Sequence, residues 1–215
     1  KRLNRSDVPK AEYEAKVRWK PKPSLTPDER LSVFRTCFGQ GVNPEDGLAV
    51  ALLLHTGMRR EEATTRQVVD VTQNKLVILG KEDKTRVIPL ARREPCFGVP
   101  SAFDLVKALT QGKSDNNFVL SHASDPARAW SNSRLYEACG RIGKIAGLPD
   151  LTPHQLRRGW ATDLRRRGID IAIISKLLGH GSLDVTKRYL GISDYDVEVV
   201  RKLLEEDSSD DRGQS

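Results

Sequence analysis

The sequence predicts a mainly α-helical domain carrying one small three-stranded antiparallel β-sheet. Three observations lead there. Helix starts of the cap-then-proline kind recur, as in Thr26-Pro27 and Thr152-Pro153. Gly47 to His55 (GLAVALLLH) is apolar on nearly every face, which marks a helix buried at the centre of a core. Only between Val68 and Leu90 does the pattern change to short β-branched runs, VVDV, KLVIL and TRVIPL, separated by charged or glycine-containing turns.

In chain order, residues 1–23 are basic, hold Pro9, Pro21 and Pro23, and show no sustained periodicity, so they read as a linker or arm ahead of a domain spanning 24–204. Thr26 to Glu29 opens a helix expected to use Leu31, Phe34 and Phe38 and to end near Gly39. The buried helix follows, then a turn at Thr56-Gly57 and a further helix in MRREEATTRQV. Three strands come next, the last two joined by the turn Gly80 to Lys84. Ser101 caps a helix to about Leu109. Phe118 to Leu120 falls in a segment that fits neither pattern, and Ser131 caps a helix using Leu135, Cys139, Ile142 and Ile145. Leu151 to Leu190 reads as three successive helices, with Gly168, Gly179 and Gly191 as their stops. In the first of them Leu156, Trp160 and Leu164 form the buried row and leave Arg157 at the border of core and solvent. Asp194 to Glu206 is a terminal amphipathic helix with Val197, Val200, Leu203 and Leu204, and residues 205–215 form an acidic tail.

Composition narrows the partner. Of 215 residues, 36 are Lys or Arg against 29 Asp or Glu, a net charge of +7, and the acidic end makes the body more basic still. That is the electrostatic footprint of a polyanion partner, nucleic acid before membrane, because no lysine-rich amphipathic helix or lipid-anchor motif accompanies it. Cys37, Cys96 and Cys139 are odd in number and in no metal-like spacing, which fits a reducing compartment. No stretch is long and apolar enough to span a bilayer. The single methionine is the internal Met58, so further chain upstream of Lys1 is expected.

The residues with chemistry in them are scattered. Arg59 leaves the most apolar helix, a costly place for a cation unless it is paired or meets an anion, with Glu62 one turn on as its partner. Lys81 and Lys84 lie in a hairpin turn, where lysines are ordinary. His154 and Arg157 fall three apart on the first turn of a helix, where a phosphate can approach the N-terminus. His180 follows a glycine cap, and Tyr189 sits in the short last helix. Taken singly each has a plain structural reading: a surface ion pair, a capping histidine, a packed tyrosine.

The order of these groups changes their weight. TGMRREEA, GKEDKTRVIPL, HQLRRGWAT and LLGHGSLDVTKRYL, between about Leu25 and Leu204, resemble the four catalytic segments of the tyrosine recombinase (phage integrase) family. The resemblance implies that family's DNA breaking-rejoining fold. It implies Arg59 and Arg157 as catalytic arginines and Glu62 as a supporting carboxylate. Lys81, or else Lys84, would be the general acid toward the leaving 5′-hydroxyl, His154 the general base, His180 a ligand of the scissile phosphate and Tyr189 the nucleophile. The implied product is a 3′-phosphotyrosyl link, made without ATP, metal or other cofactor. The implied partners are duplex DNA at specific sites, further copies of the chain in a tetramer on DNA, and accessory DNA-bending or directionality proteins. The implied setting is cytoplasmic and nucleoid-associated, and a core-binding domain is expected upstream. The helix around Val197 to Leu204 would dock on a neighbouring protomer. The sequence departs from the family pattern at Arg158, where another histidine is common, at Gly159-Trp160, and at Leu190-Gly191. A type IB-like topoisomerase shares these residues, and a non-catalytic DNA-binding protein needs only the basic faces.

Overall fold

The computed structural model describes residues 24–79, 85–92 and 99–190, leaving aside the side chains of Arg188 and Tyr189. The basic arm, the Lys81/Lys84 turn, Cys96, Gly191, the terminal helix and the acidic tail lie outside the described residues.

α1 (Pro27–Cys37) starts as expected: the Thr26 hydroxyl accepts from the Glu29 amide at 3.2 Å, and the Glu29 carboxylate accepts from the Thr26 amide at 2.7 Å. α2 (Pro44–Thr56), capped by Asn43, is the element about which the others pack. It contacts α1, α4 (Ala102–Thr110), α5 (Asn132–Ile145) and α6 (Pro153–Arg166), which is why every residue from Ala49 to Thr56 is buried. Its crossing with α1 is close. A Cβ on Gly47 would stand 2.0 Å from the Cys37 carbonyl oxygen, so only glycine fits. Short α3 (Arg60–Thr65) follows α2 after the left-handed Gly57.

The sheet has the predicted size but is shifted. VVDV is mostly a 3-10 turn (Val68–Asp70), and strand β1 is only Val71–Thr72. β2 (Lys75–Ile78) pairs antiparallel with β1 and with β3 (Arg86–Pro89), in a register that sets Ile78 against Arg86 and Leu76 against Ile88. A second, two-stranded sheet was not anticipated: β4 (Ser121–His122) with β5 (Asp125–Ala129). Phe118 leads into it by bridging Gln67, and the buried Val119 donates its amide to the Arg66 carbonyl at 2.9 Å. β4, at two residues, carries too little alternation to be seen without its partner, and β5, DPARA, holds a proline and no β-branched or aromatic residue.

Two expected core residues are exposed. Phe38 is the C-cap of α1, beyond its last buried turn, and Val33 and Cys37 occupy the core beside Phe34 instead. Ile145 ends α5 at the edge of its apolar stripe. The chain then folds back over the other side, where a Cβ on Gly143 would meet the Leu148 carbonyl oxygen at 2.4 Å.

The C-terminal stretch forms three helices as predicted: α6, α7 (Ile171–Leu178) and α8 (Leu183–Leu190). Cys37 and Cys139 are free and buried, and burial pushes the Cys37 thiol up to about 12. No described helix is long and apolar enough to cross a membrane.

Candidate active site

Three separate elements end at one cleft. α6 enters it at its N-terminus, where Thr152 accepts from the Gln155 amide and Pro153 takes the first helical position. The turn from α2 into α3 brings Met58, Arg59 and Arg60, and the turn after α7 brings His180. Together with Tyr136 of α5 and Val185 of α8 these surround a cleft of about 450 Å³, and among the described residues no carboxylate lines it. Arg59, His154, Arg157 and His180 all face it.

The arginines are held by a shared device. α7 ends on left-handed Gly179, and its last carbonyls point out of the helix without intrahelical partners. Arg86 Nε donates to the Leu177 oxygen at 2.8 Å, Arg157 Nη2 to the Leu178 oxygen at 2.5 Å, and Arg59 Nη2 to the Gly179 oxygen at 2.9 Å. Three consecutive carbonyls at the negative end of one helix thus take three guanidiniums from three other segments.

Glu62 ties the same three together. Its Oε1 accepts from Arg59 Nη1 at 2.8 Å and from Arg86 Nη1 at 2.8 Å. Its Oε2 accepts from Arg86 Nη2 at 2.5 Å and from the Arg59 amide at 2.7 Å, and it stands 3.9 Å from Arg157 Nη1. Burial alone would raise the Glu62 carboxyl, but hydrogen bonds from Arg86 and the Arg59 amide and the Arg86 charge outweigh it and bring the pKa down to about 2. One carboxylate against three guanidiniums leaves the cluster cationic.

Arg157 is not at the border of core and solvent. It is 4 % exposed, because the α2–α3 turn and the end of α7 close over it, leaving it open only to the cleft, and the Gly57 oxygen, at 2.7 Å from Nη1, helps to stabilise its charge. Arg59, by contrast, keeps its side chain 44 % exposed toward the cleft.

Both histidines are biased to the neutral form. Burial, then the charges of Arg157, Arg59, Arg86 and His154, lower His180 to about 4, and burial followed by Arg157 and Arg158 lowers His154 as well. His180 Nδ1 is 2.8 Å from the Thr186 hydroxyl, which is fully buried in α8. Tyr189 lies on that helix, three residues after Thr186, so its Cα shares the face that meets His180.

Arg86 and Thr186 were not singled out from the sequence. Arg86 had a legible signal: it alternates with Ile88 on the buried face of β3, and an inward arginine calls for a buried carboxylate. Thr186 had none beyond its spacing from His180. The departures at Gly159 and Trp160 are structural. Gly159 faces Leu25, and the Trp160 ring occupies the space beside Gly57 where a Cβ would lie only 2.2 Å away.

A helical core with a small lateral sheet is the fold of the tyrosine recombinase catalytic domains. The chain belongs to the phage integrase family, whose model matches residues 23–195. Tyrosine recombinase XerA of Pyrococcus horikoshii is 30 % identical over 174 residues, covering 79 % of this chain and 57 % of that protein. Among solved structures, a XerA recombinase superposes with a TM-score of 0.66 at 21 % identity, covering 91 % of this chain and 68 % of the other. XerH site-specific recombinase bound to its difH substrate superposes at 0.64 with 23 % identity, covering 85 % and 55 %. The chain spans about half the length of the curated relatives it matches.

Proposed function

We propose that this chain is the catalytic part of a tyrosine-type site-specific recombinase, which breaks and rejoins duplex DNA through a covalent 3′-phosphotyrosyl intermediate. The observation that carries the reading is the cationic cleft in which Arg59 and Arg157 are fixed by backbone carbonyls.

A phosphodiester resists nucleophiles because of its own charge, and attack adds more charge to its non-bridging oxygens. Preorganised guanidiniums offset that charge in forks that a lysine ammonium does not reproduce. In the proposed step the Tyr189 oxygen attacks phosphorus and gives up its proton to neutral His154, while the bond to the 5′ oxygen breaks and that oxygen takes a proton from Lys81, or from Lys84. His180 donates a hydrogen bond to a phosphate oxygen. An unperturbed tyrosine, with pKa about 10, is phenolate in only about one molecule per thousand at neutral pH, so both the base and the surrounding positive field count. The ester energy is kept in the phosphotyrosyl bond, and attack by another 5′-hydroxyl reverses the step. Duplex DNA at specific sites, assembly of several copies on it, and accessory DNA-bending proteins belong to this reading. It accords with the DNA-bound state of the XerH neighbour.

The test uses nicked duplexes carrying a site selected by binding from random DNA. The expected result is a covalent protein–DNA adduct that Tyr189→Phe abolishes. An adduct that persists in Tyr189→Phe refutes the nucleophile. No adduct on any duplex leaves a DNA-binding protein, and relaxation of supercoils without strand exchange identifies a topoisomerase.

A further inference from the structure

We infer that Arg86 is a positioning residue for the strand-transfer reaction: it holds Glu62 and the end of α7 so that Arg59 and Arg157 present their forks to the phosphate. The inference rests on the function proposed above.

Among the described residues Arg86 is not part of the cleft lining, unlike Arg59 and Arg157, and its Nε, Nη1 and Nη2 are all engaged by the Leu177 oxygen and the Glu62 carboxylate, so it acts behind the cleft and not on DNA. Its effect passes through two contacts. The first is with Glu62, whose two oxygens it engages at 2.8 and 2.5 Å in a bidentate pair. A carboxylate this close to Arg59 and 3.9 Å from Arg157 would otherwise turn toward those two and draw their donors away from a ligand. With Arg86 occupying it, Glu62 restrains Arg59 through one side-chain bond and one amide bond only. The second contact is with the Leu177 oxygen at 2.8 Å, directly before the two carbonyls that orient Arg157 and Arg59. The site is built to admit Arg86. A Cβ on Gly179 would stand 3.0 Å from its Nη1, and Gly179 also carries the left-handed turn that leads to His180. The residue therefore couples the α7 end, the α2–α3 turn and the sheet at one point. Displacement of reacting groups by about 1 Å costs on the order of 10²-fold in rate.

The experiment measures single-turnover adduct formation against DNA concentration for the wild-type protein, Arg86→Lys, Arg86→Met, Glu62→Gln and the Arg86→Met/Glu62→Gln double variant, with melting temperatures alongside. Arg86→Met is expected to lower the maximal rate by about 10- to 100-fold while the half-saturating DNA concentration stays within about twofold. Arg86→Lys, which keeps the charge but loses the fork, should remain impaired, and it serves as the folded comparison if Arg86→Met does not fold. The double variant should be no slower than the slower single one, because both act through one contact. A maximal rate unchanged in folded Arg86→Lys or Arg86→Met overturns the inference. So does a loss that tracks weakened DNA binding or the unfolded fraction, or one that multiplies with that of Glu62→Gln. Absence of any adduct from the wild-type protein overturns the proposed function itself.

Discussion

The Arg157 guanidinium donates to the Gly57 carbonyl at 2.7 Å across a sequence separation of 100 residues. Gly57 has φ 58°, in the left-handed region, and the Trp160 ring lies where its side chain would be. Gly57→Ala therefore combines about 1–2 kcal/mol of backbone strain with a steric clash. We expect a melting temperature several degrees lower, and an adduct yield reduced further than folding alone explains, because the carbonyl that orients Arg157 moves.

Arg157→Ala removes a cation and leaves the Gly57 and Leu178 oxygens without this donor. Cleavage should fall by at least about 10²- to 10³-fold, the cost typical of removing one preorganised donor, in single-turnover assays at saturating DNA. Arg157→Lys restores charge without the fork that reaches both carbonyls, so it should recover stability more than rate.

Thr186→Val tests the link between His180 and the helix that bears Tyr189. The variant keeps the shape and loses the hydroxyl 2.8 Å from His180 Nδ1. A hydrogen bond contributes about 1 kcal/mol net, so cleavage should slow by roughly fivefold with DNA affinity held. An equal loss in binding would show that Thr186 serves the fold of α8 and not the histidine.

Stability should depend on pH in two windows. His180 has a folded pKa of about 4 against an ordinary 6.5, so the unfolded chain takes up a proton that the folded chain refuses. Its contribution is full above pH 6.5 and declines as pH falls from there toward 4, and His154, also lowered, acts in the same sense. Glu62 works lower: its contribution is present above 4.5 and is lost as pH falls through about 2. Thermal melts across these ranges should show His180→Asn flattening the upper slope and Glu62→Gln the lower one.

How far the site was legible depended on how local its causes are. The capping box at Thr152 and Gln155 is contained in four residues, so the entry of α6 and the placing of His154 and Arg157 on its first turn followed directly. The pairing of Arg59 with Glu62, three apart on one helix start, was equally local. The second sheet was invisible because β4 has only two residues and β5, DPARA, holds a proline and no β-branched or aromatic residue. The burial of Arg157 was missed because helix periodicity knows only its own helix, and the groups that cover Arg157 come from elsewhere.

By itself the sequence determined the capped starts of the helices, the central buried helix, the zone of the three-stranded sheet, the basic body and the order of the charged and hydroxyl-bearing groups, since each of these rests on composition or on spacing along a few turns of chain. Only the tertiary structure decided that Arg59, Arg86 and Arg157 gather about one carboxylate and three successive carbonyls at the C-terminal end of α7. A guanidinium held beside a helix end takes its geometry from whichever acceptors the packing brings to it, and here the carbonyls are 91 residues away for Arg86 and 120 for Arg59.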